Sequence, residues 1–167
     1  RAARNAKAIE SYQAAIRADS GFALPYARLA FLGIWREDVE DVDLRQAREL
    51  SDQLPPRQRR LVRALYLAQV ERRTLAAADS LRRLTEDYPD DPTMWDSRAE
   101  LVLHEFIPRG WPEIDRAYQR AVELDPGYTA YYGHYVEAAF RFHHDSAIVA
   151  ERLKEVPNEE WQTLFRL

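Results

Sequence analysis

Turn-forming residues recur along this chain at nearly equal intervals, and that regularity restricts its fold more than any other feature. Ser20, Pro55, Pro89, Pro126 and Pro157 are spaced by 35, 34, 37 and 31 residues, a period near 34. Each follows an apolar segment written on a helical spacing, small-x3-large-x2-small. The copies are Ala8, Tyr12, Ala15 before Ser20; Ala77, Leu81, Leu84 before Pro89; and Ile114, Tyr118, Ala121 before Pro126. A weaker copy is Asp43, Ala47, Leu50 before Pro55, and a degraded one, with Val149 and Arg152, precedes Pro157. A fixed period of this length is the mark of stacked supersecondary units, each burying an apolar face that it cannot bury alone.

Downstream of the first four terminators lies a second pattern, large-x2-apolar-small-x2-apolar. It reads Tyr26, Leu29, Ala30, Gly33; Leu61, Ala64, Leu65, Ala68; Trp95, Arg98, Ala99, Val102; and Tyr132, Tyr135, Val136, Ala139. Spacings of three, four and seven place each set on one helix face. Each unit is therefore a helix A, a turn and a helix B, with the Pro or Ser marking the passage to the next unit. No stretch alternates with period 2 long enough to predict a strand.

On these residues the chain resembles the tetratricopeptide repeat, whose signature is W-x2-L-G-x2-Y, then A-x3-F, then P. "DDPTMWDSRAELV" with "IDRAYQRAVELDP", and "AIESYQAAIRADSGFALPYARLA", carry the resemblance, which covers nearly the whole chain. It implies an all-α, right-handed superhelical solenoid of antiparallel helix pairs in a single domain, 1–167. Residues 1–20 are then helix B of a leading repeat, 21–55, 56–89, 90–126 and 127–157 are helix pairs, and 158–167 begin a further helix. Arg98 departs from the family's Leu and Gly33 from its aromatic, and "FIPRGWPE" lengthens one turn. The segments "DSGFALPYARLA" and "SDQLPPRQRRLVRAL" are similar to repeat regions attached to bacterial kinases, cyclases or transcription regulators.

Composition narrows the chemistry. The chain has no Cys, which removes disulfides, thiolate nucleophiles, iron–sulfur clusters and Cys-ligated zinc. Its 5 glycines form no phosphate-binding loop, and its six serines lie in no nucleophile context, so the chain is expected not to be an enzyme. No apolar run approaches the ~20 residues that span a bilayer, and a cytoplasmic location is expected. At net charge −4 neither nucleic acid nor an anionic membrane is the expected partner. The charge is unevenly placed, with 16 basic against 11 acidic residues up to position 83 and 8 against 17 after it. The chain opens on Arg1 and ends on the apolar "WQTLFRL", so it reads as a region of a longer protein whose uncapped ends allow self-association.

Four histidines are the remaining candidates for chemistry. His104 follows Glu100 by four residues and His134 precedes Glu137 by three, so each pair shares a helix face. Stacked A helices would bring these four side chains together, and imidazole with carboxylate suits zinc. The competing reading makes His104 and His134 hydrogen-bonding residues of the groove wall and His143 and His144 loop residues. That reading is preferred, with no metal and no cofactor. The acidic run Glu37, Asp38, Glu40, Asp41, Asp43 lacks the Gly and closing Glu of a calcium loop and suits the start of a helix. The basic run Arg57, Arg59, Arg60, Arg63 has only Tyr66 as an aromatic neighbour.

In stacked helical hairpins the A helices line the concave wall. The expected peptide-binding groove comprises Arg28, Phe31, Trp35, Arg59, Arg63, Tyr66, Asp96, Glu100, His104, His134, Glu137 and Arg141, with aromatic anchors and arginines towards one end and carboxylates towards the other. Packing against the next repeat is the competing role for Phe31 and Trp35. The Lys/Asn set with which tetratricopeptide grooves grip a terminal carboxylate is absent. The expected function is a scaffold that binds a protein or peptide segment. The alternative is a regulatory or sensory segment of a larger bacterial signalling protein, in which the groove packs against a domain of its own chain.

Overall fold

A computed structural model describes residues 2–33, 42–104, 110–143 and 145–157. Among these residues the chain is all-helical, with no strand. The helices are α1 (Ala2–Ala18), α2 (Ala23–Gly33), α3 (Val42–Glu49), α4 (Pro56–Gln69), α5 (Thr74–Asp87), α6 (Pro92–His104), α7 (Trp111–Leu124), α8 (Ala130–His143) and α9 (Ser146–Glu155), with a 3₁₀ turn at Ser51–Gln53. No helix among the described residues is long and apolar enough to cross a membrane. The intervals 21–55, 56–89, 90–126 and 127–157 each hold two of these helices. Trp35, His144, the acidic residues from Glu37 to Asp41, most of the "FIPRG" insertion and the segment 158–167 lie outside the described residues.

The turn-forming residues of the repeat build the same small device three times. At Ser20, Pro89 and Pro126 the carbonyl of the preceding residue accepts from the N–H two residues beyond. The pairs are Phe22 N to Asp19 O (3.2 Å), Asp91 N to Tyr88 O (3.2 Å) and Tyr128 N to Asp125 O (3.1 Å). Six residues after each terminator an aromatic side chain reaches back to the terminator's own carbonyl: Tyr26 Oη to Ser20 O (3.2 Å), Trp95 Nε1 to Pro89 O (2.8 Å) and Tyr132 Oη to Pro126 O (3.1 Å). These aromatics are the "large" positions that open the helix A pattern. Their conformational role is to hold a backbone acceptor that proline's neighbours leave without a helical partner. At Pro55, the second terminator in the chain, the +6 residue is Leu61, whose side chain has no donor. There Arg59 does the equivalent work, its guanidinium donating to Ser51 O (3.0 Å), Asp52 O (2.8 Å) and Leu54 O (3.1 Å).

The chain divides into two compact units, Arg1–Leu84 and Thr85–Leu167. In the first, α1 packs on α2, α2 on α3 and α3 on α4. Leu61, Ala64, Leu65 and Ala68 of α4, and Ala77, Leu81 and Leu84 of α5, are buried. The α4–α5 connection passes through Arg72, whose φ of 54° is a left-handed backbone carried by a non-glycine residue. In the second unit α7 packs on both α6 and α8, and α9 covers α8. Its core is built on Ala99, Val102, Ile114, Tyr118, Ala121, Tyr132, Tyr135 and Val136, with Trp95 and Trp111 packed at its margin. Small residues fall where helices approach: Ala99, Ala117 and Ala121 are almost fully buried. Arg98 of α6 stays in the margin because its guanidinium is satisfied by Glu113 Oε1 (2.8 Å) and Thr85 Oγ1 (2.9 Å).

A second buried polar group lies at the base of this unit. Arg152 of α9 stacks 4.3 Å from the Tyr135 ring centroid and donates to Tyr135 O (3.0 Å). It also lies 2.5 Å from Asp115 Oδ1, a coulombic contact outside hydrogen-bond geometry, since that oxygen accepts no hydrogen bond. His143 Nε2 lies 3.3 Å from the other Asp115 oxygen. The degraded repeat copy around Arg152 thus uses an arginine where its neighbours use an apolar residue, with the carboxylate of α7 as its counter-charge.

Candidate functional site

The second unit gathers chemistry on α6, α7 and α8. Asp91 starts α6 by accepting from Thr93 N (2.9 Å), which fixes where the helix begins and hence which residues face α8. One helix spacing separates Glu100 from His104, so both project from the same side of α6. Across from them, α8 contributes His134, and from beneath, α7 contributes Tyr118, whose ring is part of the core.

These four side chains meet at the Glu100 carboxylate. Tyr118 donates its hydroxyl to Glu100 Oε1 (2.7 Å), and His134 Nδ1 lies 2.6 Å from the same oxygen. His104 Nε2 lies 3.2 Å from Oε2. A carboxylate oxygen only accepts, so the His134 nitrogen that faces it carries a proton. The two imidazoles stand edge to face with centroids 5.6 Å apart, and Tyr118 Oη is 3.1 Å from His134 Nδ1. Glu100 is only 8% exposed, while the His104 and His134 side chains remain 39% and 36% exposed. The cluster therefore has a buried anionic floor and an accessible imidazole rim.

Electrostatics follow from this layout. Burial on its own would raise the Glu100 carboxyl, but hydrogen bonds from His104, His134 and Tyr118, with the charge of His134, bring it down to about 2. The carboxylate is ionised at neutral pH. The Tyr118 hydroxyl is pushed well up, first by burial and then by the negative charges of Glu100, Asp96 and Glu137. Three carboxylates thus act on the Tyr118 hydroxyl.

The other sequence-derived groove residues take varied places. On α2, Arg28 is exposed and Phe31 half-buried; Trp35 lies outside the described residues. On α4, Arg63 is exposed and Tyr66 half-buried. Val62, beside them on α4, is 3% exposed within the core. Arg59, expected on the groove wall, donates from its guanidinium to three backbone carbonyls before α4 and lies 3.8 Å from the Asp52 carboxylate. Asp96 is half-buried. Glu137 pairs with Arg141 at 2.7 Å, and Arg141 also sits 5.9 Å from the Trp111 ring centroid. Glu100, expected as an open groove carboxylate, is the buried acceptor of the cluster, because Tyr118 of α7, His134 of α8 and His104 of its own helix close around it.

The structure brings together three of the four residues whose spacing suggested convergence, Glu100, His104 and His134, while Glu137 turns to Arg141. Tyr118 was legible in the sequence only as the large core residue of a helix B. Its hydroxyl was the unread signal, since a buried phenol needs an acceptor. No family model and no curated protein sequence matches the chain.

Proposed function

We propose that the chain is a scaffold of tetratricopeptide-like helix pairs, stacked as a right-handed solenoid, which binds a protein or peptide segment without transforming it. The observation that carries this reading is the face of α8 bearing His134, Glu137, Phe140 and Arg141. The buried tyrosines, valine and alanines of α8 meet α7 and α9, and this face stays accessible, with Phe140 66% exposed. An exposed aromatic flanked by a carboxylate and a guanidinium suits one anchor side chain of a partner with polar contacts around it. The period of 34 residues, repeated in the same turn hydrogen bonds, adds support from the rest of the chain.

Selection of displayed peptides against the purified chain tests the reading. Selected segments should lose at least about tenfold in affinity with Phe140→Ala, since a buried aromatic anchor is worth about 2 kcal/mol or more. Gln119→Ala, on the exposed side of α7, should leave affinity unchanged. Segments that respond to Gln119→Ala and ignore Phe140→Ala would place binding on the opposite layer and refute the proposal.

A further inference from the structure

We propose that Glu100, His104 and His134 form a binding site for a zinc-class divalent cation, with Tyr118 positioning the carboxylate. This inference does not depend on the peptide-binding reading. It starts from convergence: each of the three residues offers a ligand atom, and these atoms lie within 4.8 Å of one another, with any proton on a ligating imidazole nitrogen released to solvent as the ion binds. Zinc–nitrogen and zinc–oxygen bonds near 2.0–2.2 Å put neighbouring ligand atoms about 3.4 Å apart in a tetrahedral shell. Glu100 Oε2 and His104 Nε2 already stand 3.2 Å apart. Two residues come from one helix at an i, i+4 spacing and one from a facing helix, so the backbone holds the donors at fixed separation.

The chemistry of the donors selects the ion. Two imidazoles and one carboxylate form a borderline-soft set that suits zinc, cobalt or nickel and not magnesium or calcium, which take oxygen. Tyr118 Oη engages Glu100 Oε1 and leaves Oε2 on the His104 side, so the phenol serves as the outer hydrogen bond that orients a metal-binding carboxylate. Three protein ligands leave a fourth position, and the accessible imidazole rim directs it outward, where water or a donor from a partner would complete the shell.

Zinc titration of the tag-free, chelator-stripped full chain tests the site, read by calorimetry for stoichiometry and by the visible bands of cobalt for tetrahedral geometry. One ion per chain is expected. His104→Ala and His134→Ala, both at partly exposed positions, should each weaken zinc binding by at least about tenfold. Tyr118→Phe should weaken it by about 10-fold through the outer hydrogen bond, and His143→Ala should leave it unchanged. On the unaltered protein, zinc should shift the imidazole NMR signals of His104 and His134 and leave those of His143 and His144 in place, a readout that needs no variant to fold. Absence of stoichiometric binding, or binding that survives both His104→Ala and His134→Ala, would overturn the proposal. So would zinc-induced shifts confined to His143 and His144.

Discussion

Asp115 and Arg152 are charges that the interior of the second unit would expel if either stood alone. Arg152 is 7% exposed and its guanidinium is divided between the Asp115 carboxylate, the Tyr135 carbonyl and the Tyr135 ring. Removing one member of a buried pair leaves the other desolvated and uncompensated, at a cost of about 3–5 kcal/mol. Arg152→Ala should therefore lower unfolding free energy in urea by about that amount. The double variant Arg152→Met with Asp115→Asn, which removes both charges and keeps most of the volume, should recover much of the loss. A double variant no more stable than Arg152→Ala would mean that the stacking of the arginine on Tyr135 matters more than its charge.

Helix by helix, the fold depends on how each turn disposes of its backbone acceptors and on how closely the next helix can approach. Trp95→Phe keeps an aromatic ring at the core margin, deletes the bond to Pro89 O and removes part of the indole's packing, so a loss of at least about 0.5–1.5 kcal/mol in chemical denaturation is expected. A Trp95→Phe protein as stable as its parent would reduce the recurring aromatic to a packing residue. Ala99, fully buried between α6 and its neighbours, tests the approach distance: Ala99→Leu should cost about 1–3 kcal/mol by overpacking. An unchanged melting temperature would show that the crossing there has room. The pH dependence of α8 belongs to this scale as well. Burial first, then nearby carboxylates, push the hydroxyls of Tyr131 and Tyr132 above the ordinary value of 10.0, and burial does the same for Tyr135 despite the charge of Arg152. A folded-state value raised above the unfolded one gives stability that is fully present below about pH 10 and is lost as pH rises through the folded values. Phenolate absorbance from these three should therefore appear together with loss of helix, in one cooperative step above pH 10. Smooth tyrosine ionisation near pH 10 with the helical signal intact would contradict their burial.

Across the whole molecule, far-UV circular dichroism should give the two minima of α-helix with no strand component, because every described element is helical; a sheet signal would contradict the architecture. The sequence by itself determined this much. A period near 34, terminators that stop one helix and precede the next, and apolar positions at spacings of three, four and seven are local, one-dimensional signals, and they placed the helix pairs and the small residues Ala64, Ala77, Ala99 and Ala121 that the structure buries. What the tertiary structure decided is the fate of polar side chains. Helical spacing reports which residues share a face, but not whether a neighbouring helix covers that face. So Glu100 looked like an open groove carboxylate and is a buried acceptor, Arg59 looked like a groove arginine and also holds the turn before α4, and Tyr118 read as a large core residue and also donates to a carboxylate. The meeting of Glu100 and His104 with His134, thirty residues and two helices further along the chain, rests on the packing of both α6 and α8 on α7. Distances of that kind come from packing in three dimensions, which no spacing along the chain encodes.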